Sequence, residues 1–317
     1  MKAAVYFQYG SPEVLEIKQV ERPALTENEI LVRIMATAVN SGDVRLRRAD
    51  PFAVRFMLGL TKPGINILGG VFAGRVEAIG NNVSNFKVGD EVFGSTDMKF
   101  GAYAEYKCFP QDGTVALKPA NVSFAQAAVI PFGGATSLHF LKQAGIKQGQ
   151  RVLVYGASGA VGTAAIQLAK HFGAKVTGVC STTNVDMVKA LGADAVIDYT
   201  KENFESRNEK YDIIYDTVNK IPVPAGLQKL SENGVLILGS ADISGMLSGA
   251  FRTMSGSKKA IFGVTKQTQQ DIKFLAELVK AGQLKPVIDK TYPLEQIAVA
   301  HAYVDGGHKK GNVAITI

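Results

Sequence analysis

Val152-Leu-Val-Tyr-Gly-Ala-Ser-Gly-Ala-Val-Gly-Thr-Ala-Ala-Ile-Gln-Leu-Ala-Lys170 reads as a buried strand, a glycine turn and an amphipathic helix. The apolar run before the glycines has strand length, and after them Val161, Ala165, Leu168 and Phe172 fall on one helical face. Glycines at 156, 159 and 162 let the backbone turn tightly, approach a ligand without an intervening Cβ, and pack the helix on the strand. The helix N-terminus then offers unpaired N–H groups to an anion. Gly156, Ser158, Gly159, Ala160, Val161 and Gly162 are therefore the candidate contacts of a dinucleotide pyrophosphate.

About 20 positions further on, such sites usually carry an acidic residue that accepts the ribose hydroxyls of NAD. Here the next strand, Lys175-Val-Thr-Gly-Val-Cys180, runs into Ser181-Thr-Thr-Asn184 with no carboxylate in the loop. A carboxylate repels a 2′-phosphate, whereas hydroxyls and an amide donate to one. Ser181, Thr182 and Asn184 thus favour NADPH, with NADH as the alternative cofactor.

The 317 residues suit two domains. An apolar content of 46%, only 20% charged residues and 33 glycines describe a globular chain rich in tight turns and exclude disordered and fibrous classes. Cys108 and Cys180 form no CxxC pair or Cys/His cluster, so neither a disulfide framework nor a zinc knuckle is expected. No signal peptide or membrane span is read, and a cytoplasmic protein is expected. The net charge of +7, with Arg45, Arg47, Arg48, Arg55 and Lys62 close in sequence, invites a nucleic-acid reading. Apolar residues interrupt that cluster and no nucleic-acid module is present, so a basic face attracting a multiply charged cofactor fits better.

The second half alternates apolar runs at 151–155, 175–180, 195–198, 211–218 and 234–239 with four amphipathic segments, the pattern of a parallel sheet covered on both faces. A polar, glycine-rich stretch over 240–256 precedes a sixth run, Lys259-Ala-Ile-Phe-Gly-Val264, so six strands are expected. A helix with Ile272, Leu275, Leu278 and Val279 on one face follows, and Gly282 is placed to end it. Roughly the first 120 residues instead give short alternating segments such as Glu29-Ile-Leu-Val-Arg-Ile-Met-Ala-Thr-Ala38, the pattern of a mostly antiparallel β domain. Ser123 reads as a helix N-cap, and a break is expected near Pro131 and Gly133-Gly134.

Lys87-Val-Gly-Asp-Glu-Val-Phe-Gly94, Pro131-Phe-Gly-Gly-Ala-Thr136, the glycine turn, Leu191-Gly-Ala-Asp194, Val196-Ile-Asp-Tyr-Thr-Lys-Glu-Asn-Phe204, Tyr211-Asp-Ile-Ile-Tyr-Asp216 and Gly307-His-Lys-Lys-Gly-Asn-Val-Ala-Ile-Thr316 follow in that order. With this set the chain resembles the medium-chain dehydrogenase/reductase superfamily, in particular its zinc-free quinone oxidoreductase-like and alkenal/enone reductase-like members, over essentially its full length. The resemblance implies an α/β fold with a doubly wound six-stranded parallel Rossmann sheet over 124–282. It adds a GroES-like, mostly antiparallel β domain built from 1–123 and 283–317, an active site in the cleft between the domains, and a homodimer formed through the sixth Rossmann strand.

Where zinc-dependent relatives hold the catalytic metal with Cys, His and Cys, this chain has Asn40, Gly70 and Phe132. Glycine and phenylalanine cannot ligate zinc, so no metal is expected. The resemblance places Asn40 beside the substrate and the nicotinamide ribose as an amide donor; the competing reading is a turn residue satisfying its own backbone. It places Thr136 against the nicotinamide, where the plain alternative is a helix-interior hydroxyl. Tyr199 would flank the 2′-phosphate, and Gly239, Phe262 and Asn312 complete the implied cofactor contacts. A basic residue often accompanies that tyrosine; Thr183 and Asn184 stand in its place. Val71 likewise replaces a common Asp or Glu.

Asp43, Arg45, Phe56, Phe93 and Phe132 form the implied substrate pocket, with the segment 45–61 as its wall or lid. Asp43 reads as a structural acceptor rather than a general acid, so a proton from solvent is expected. The expected activity is hydride transfer from NADPH to a small hydrophobic quinone or α,β-unsaturated carbonyl, with positioning and hydrogen bonding carrying the rate. An alcohol or carbonyl dehydrogenase is the enzymatic alternative, disfavoured because nothing replaces zinc as Lewis acid. A crystallin-like nucleotide- or RNA-binding protein is the non-enzymatic one.

Overall fold

The computed structural model describes residues 1–239 and 257–317; the glycine-rich stretch 240–256 lies outside the described residues. In chain order the first elements are β1 (Lys2–Val5), β2 (Glu16–Gln19), β3 (Glu29–Val39), α1 (Ser41–Arg48), α2 (Val54–Leu58), β4 (Val71–Ile79), β5 (Glu91–Ser95), β6 (Tyr106–Pro110), β7 (Val115–Leu117), α3 (Phe124–Ala128) and α4 (Ile130–Gln143). Next come β8 (Arg151–Tyr155), α5 (Ala160–His171), β9 (Lys175–Cys180), α6 (Val185–Ala190), β10 (Ala195–Asp198), β11 (Tyr211–Asp216), α7 (Val223–Lys229), β12 (Leu230–Leu238) and β13 (Lys259–Phe262). The chain closes with α8 (Gln269–Lys280), β14 (Ile288–Pro293), α9 (Ile297–Asp305) and β15 (Asn312–Thr316).

The six apolar runs of the second half form one sheet in the order β10-β9-β8-β11-β12-β13, every pair parallel. This is the doubly wound order, with β8 central and the crossovers passing to either side. Successive residues Val152, Leu153 and Val154 are all fully buried, as a strand covered on both faces requires. The fourth strand stops at Asp216, short of the expected 218, because its carboxylate accepts the N–H groups of Val218, Lys220 and Ile221 at 2.9, 2.8 and 2.7 Å and turns the chain. The sixth ends at Phe262, where Gly263 takes a φ of +136°.

The other unit is built on the sheet β14-β15-β3-β4-β5-β7, with β6 also paired to β3. Its pairs are antiparallel except β14 with β15. β3 buries both faces, since Ile30, Val32 and Ile34 enter one apolar cluster and Ala38 and Val39 enter two others.

Ser123 caps α3, exchanging hydrogen bonds with Gln126 in both directions. The expected break falls at Val129, ahead of Pro131, which then occupies the first turn of α4 where its missing N–H is harmless. Gly133 and Gly134 lie inside α4 instead of interrupting it. A Cβ on Gly133 would stand 2.2 Å from the Ala160 carbonyl oxygen, so close packing on the glycine turn accounts for it.

Contacts divide the chain into one unit of Met1–Phe132, Gln267–Gly282 and Pro286–Ile317, and another of Gly133–Lys266 with Gln283–Lys285. The sequence breaks drawn at 123/124 and 282/283 differ from these, chiefly over α8. That helix buries Ile272, Leu275, Leu278 and Val279 as its pattern requires, yet it belongs with the first unit. Asn121 donates to the Val279 carbonyl at 3.0 Å and Gln269 to that of Gln111 at 3.0 Å.

Candidate active site

In the Rossmann unit the three glycines of the turn divide their work. Gly156 has a φ of +79°, and a Cβ there would lie 2.6 Å from Thr217 Oγ1. A Cβ on Gly162 would lie 2.1 Å from the Gly156 oxygen, so only glycine lets α5 pack this tightly on the turn. A Cβ on Gly159 would meet nothing nearer than the Gly156 oxygen at 3.6 Å, an ordinary contact. Gly156 and Gly162 therefore serve the fold, whereas Gly159 keeps a face open. Ser158, Gly159 and Val161 are partly exposed there, while Ala160 and Gly162 are buried. The first intrahelical bond runs from Thr163 N–H to the Gly159 oxygen at 2.9 Å, so the N–H groups of Ala160, Val161 and Gly162 have no acceptor within the helix. These residues fit a dinucleotide pyrophosphate.

Because the strands are parallel, their C-terminal ends share one edge, which gathers the glycine turn, Ser181, Gly239 and Phe262. Asn184 donates to Ser181 Oγ at 3.1 Å, and its own Oδ1 is buried without a partner. Tyr199 follows β10 with its ring more than half exposed. Thr136 is buried on α4, near Gly133.

Asp198 is a member that sequence reading passed over. It sits opposite Cys180 in the β10–β9 register, so its carboxylate reaches the loop after β9. It accepts from Thr182 Oγ1 at 2.5 Å and from Thr200 Oγ1 and N–H at 2.7 and 3.1 Å, with Lys201 Nζ 3.6 Å away. The Thr182 hydroxyl leads the donors that hold Asp198 down at about 2. The Thr182 proton is therefore committed to Asp198, leaving Ser181 and Asn184 as the loop's freer polar groups. Burial pushes the Cys180 thiol up to about 11, which suits a small core residue and not a reactive thiolate.

In the GroES-like unit Asn40 follows β3 and caps α1. Its N–H donates to Asp43 Oδ2 at 2.9 Å, and the Gly69 N–H donates to Asp43 Oδ1 at 3.2 Å. One buried carboxylate thus pins Asn40 and the Gly69–Gly70 loop together. Burial raises Asp43 to about 6, against the pull of these N–H donors and the Tyr103 hydroxyl. Behind it Tyr103 Oη lies 3.2 Å from His301 Nε2, and burial keeps His301 neutral, down at about 3. The Asn40 side chain is 3% exposed, and its Nδ2 has no hydrogen-bond partner. A cap uses the amide oxygen, so the capping role stands and Nδ2 is left over beside it.

The three positions that the resemblance equates with metal ligands, Asn40, Gly70 and Phe132, all lie in this unit. A Cβ on Gly70 would lie 4.0 Å from Asp43 Oδ1, and one on Gly42 4.0 Å from the Phe132 ring. Phe132 packs on Ala38, Val71, Val129 and Ala314. Of the other implied pocket residues, Phe93 is fully buried on β5 opposite Ala73 and has no surface of its own. Arg45 is exposed, and Phe56 is 75% exposed, edge-on to Phe52. Among the described residues no three His, Cys, Asp or Glu side chains are grouped to hold a metal ion.

Residues 26–119 match the alcohol dehydrogenase GroES-like domain and residues 191–315 the zinc-binding dehydrogenase family. The chain is 37% identical, over 99% of its length and 79% of the relative's, to the 2-methylene-furan-3-one reductase of Solanum lycopersicum. It is 34% identical, with the same coverage, to the chloroplastic NADPH-dependent alkenal/one oxidoreductase of Arabidopsis thaliana. The chain belongs to the medium-chain dehydrogenase/reductase superfamily, in its quinone oxidoreductase and alkenal/enone reductase branch. The solved quinone oxidoreductase of Coxiella burnetii superposes with a TM-score of 0.88 at 30% identity, covering 100% of this chain and 99% of that one. This member of the branch is thus a NAD(P)H-dependent oxidoreductase built from a Rossmann and a GroES-like unit. The "zinc-binding" wording of the matched family meets Gly70 and Phe132 here, side chains with no ligand atom. No helix among the described residues is long and apolar enough to cross a membrane.

Proposed function

We propose that this protein is an NADPH-dependent, metal-independent reductase of quinones or α,β-unsaturated carbonyls. The observation that carries the reading is the buried, unpartnered Asn40 Nδ2, on a residue whose backbone N–H Asp43 holds, in a chain with Gly70 and Phe132 where the resemblance places metal ligands. A preorganised donor in an apolar, water-poor setting polarises a carbonyl and stabilises the oxyanion that forms when the conjugated system is reduced. A bound nicotinamide dinucleotide supplies the hydride. Gly156, Ser158, Gly159, Ala160, Val161 and Gly162 hold its pyrophosphate, and Ser181, Asn184 and Tyr199 receive its 2′-phosphate. Gly239, Phe262, Thr136 and Asn312 are its remaining contacts. Asp198 stays ionised beside this loop, screened in part by Lys201, so the preference for NADPH rests on Ser181 and Asn184 and does not exclude NADH. Phe132, packed on Ala38, Val71, Val129 and Ala314, lines the acceptor's apolar side, and solvent returns the proton. The relatives' printed names, an exocyclic enone reductase and an alkenal/one oxidoreductase, support the same acceptor class. The test is loss of NADPH absorbance with 1,4-naphthoquinone and with a simple enone; failure with a broad panel of both contradicts the reading.

A further inference from the structure

Behind Asn40, three polar side chains from distant stretches of the chain form a buried row. Asp43 on α1 is 2% exposed, while Tyr103, in the β5–β6 connection, and His301, on α9, are fully buried. Tyr103 lies in an apolar cluster with Val39, Val44, Leu68 and Ile297. Desolvating such groups is costly, and what a fully connected polar network returns is a single fixed arrangement.

The row is connected end to end. His301 Nε2 lies 3.2 Å from Tyr103 Oη, and the Tyr103 hydroxyl hydrogen-bonds the Asp43 carboxylate. Asp43 then grips Asn40 twice: Oδ2 accepts the Asn40 N–H at 2.9 Å, and the Asp43 N–H donates to the Asn40 side chain, the two halves of a capping box. With the amide oxygen engaged, Nδ2 is left as the free donor. Asp43 Oδ1 accepts the Gly69 N–H at 3.2 Å, and a Cβ on Gly69 would lie 2.7 Å from Tyr103 Cδ1, so the same tyrosine backs this loop too.

The protons along the row have one consistent assignment. Tyr103 has one hydroxyl proton and two acceptors for it, the Ala38 carbonyl at 3.4 Å and the Asp43 carboxylate. An anionic oxygen is the stronger acceptor, so Asp43 takes it. His301 then donates through Nε2–H, the tautomer in which Nδ1 is a lone pair, and Nδ1 has no partner. Burial, helped by the Arg47 charge, keeps the ring neutral and so limited to that one proton.

We infer that Tyr103 and His301 are positioning residues for the reduction, acting through Asp43 to hold the Asn40 amide in line with the substrate carbonyl. The inference rests on the reductase reading. Neither side chain needs to touch substrate or cofactor. A donor misplaced by about 1 Å can forfeit up to about 100-fold in rate, so a remote clamp on Asn40 has kinetic consequences.

The experiment measures kcat/KM with NADPH and 1,4-naphthoquinone in a coupled set of variants. Tyr103→Phe keeps the ring, removes the hydroxyl, and should lower kcat/KM about 10-fold, a partial loss of alignment, with NADPH affinity unchanged. In an Asn40→Leu background the same substitution should cost nothing further, because the residue it acts through is gone. His301→Leu should behave as Tyr103→Phe does, and His301→Gln, which can still donate to Tyr103 Oη, should recover most of the activity. A role in packing alone gives losses that multiply in the double variant and no rescue by glutamine; either result overturns the inference. So does wild-type kcat/KM in Tyr103→Phe. Hydrogen exchange supplies a readout independent of turnover: the Asn40 and Gly69 N–H groups should exchange about 10-fold faster in Tyr103→Phe and His301→Leu, but not in His301→Gln. Exchange unchanged at both groups also overturns it. If the wild type reduces no acceptor, the reductase reading fails, while exchange still decides whether Tyr103 and His301 hold Asn40.

Discussion

At the scale of single residues, Asn40 and Asp43 act as one device whose halves respond to different tests. Asn40→Leu removes the donor and should lower kcat/KM by about 100-fold, the usual effect of deleting one oxyanion donor. Its stability should fall only by the lost α1 cap, about 1 kcal/mol, because Nδ2 itself makes no bond in the fold. Asp43 responds to pH. Its folded pKa of about 6 lies above the ordinary 3.8, so its contribution to stability is fully present below about pH 4 and is lost as pH rises through 6. That difference corresponds to roughly 3 kcal/mol. Urea unfolding at several pH values should show the fall in wild type and not in Asp43→Asn; parallel curves would contradict it. Asn40 was legible in the sequence because it fills a ligand position whose companions, Gly70 and Phe132, cannot ligate. Asp198 was not, because its place depends on register between strands distant in sequence. Parallel strands align their C-terminal ends, so the Asp of Val196-Ile-Asp198 was the one available signal for it.

At the scale of elements, the glycine turn makes a differential prediction. Gly162→Ala forces a Cβ to within 2.1 Å of a carbonyl oxygen and should destabilise the Rossmann unit as well as abolish cofactor binding. Gly159→Ala meets only an ordinary 3.6 Å contact, so it should melt close to wild type while binding NADPH at least about 10-fold more weakly. Equal melting losses in the two variants would contradict this division. Helix α1 carries a second test through Arg47, which is fully buried and joined to Asp305 at 2.6 Å and to the Gly10 carbonyl at 3.2 Å. Asp305→Ala leaves that charge without its anionic partner and should cost about 3–5 kcal/mol in urea unfolding. Periodicity gave away the elements themselves, since continuous apolar runs and a one-faced helix are local properties. Their ends were less legible. β11 stops where the Asp216 carboxylate gathers three N–H groups, and the α3–α4 break moves to Val129 because Pro131 is comfortable in a first helical turn.

At the scale of the whole molecule, strand and helix patterning indicated a parallel sheet in the second half and a mostly antiparallel one in the first, and the family resemblance supplied the doubly wound and GroES-like topologies. Neither placed α8, whose attachment to the first unit depends on partners as remote as Gln111 and Asn121. β13 pairs only with β12 among the described residues, and that open edge is the surface through which we expect two copies to associate. Sedimentation at micromolar concentration should return a dimer, and a monomer would remove the proposal. The central claim is that hydride transfer here is organised by an amide, without a metal. Its most direct test is NADPH oxidation with 1,4-naphthoquinone by protein dialysed against a strong chelator, compared with protein supplemented with zinc. The account predicts the same kcat/KM in both, and faster turnover with NADPH than with NADH. Activity lost on chelation and restored by zinc would contradict it.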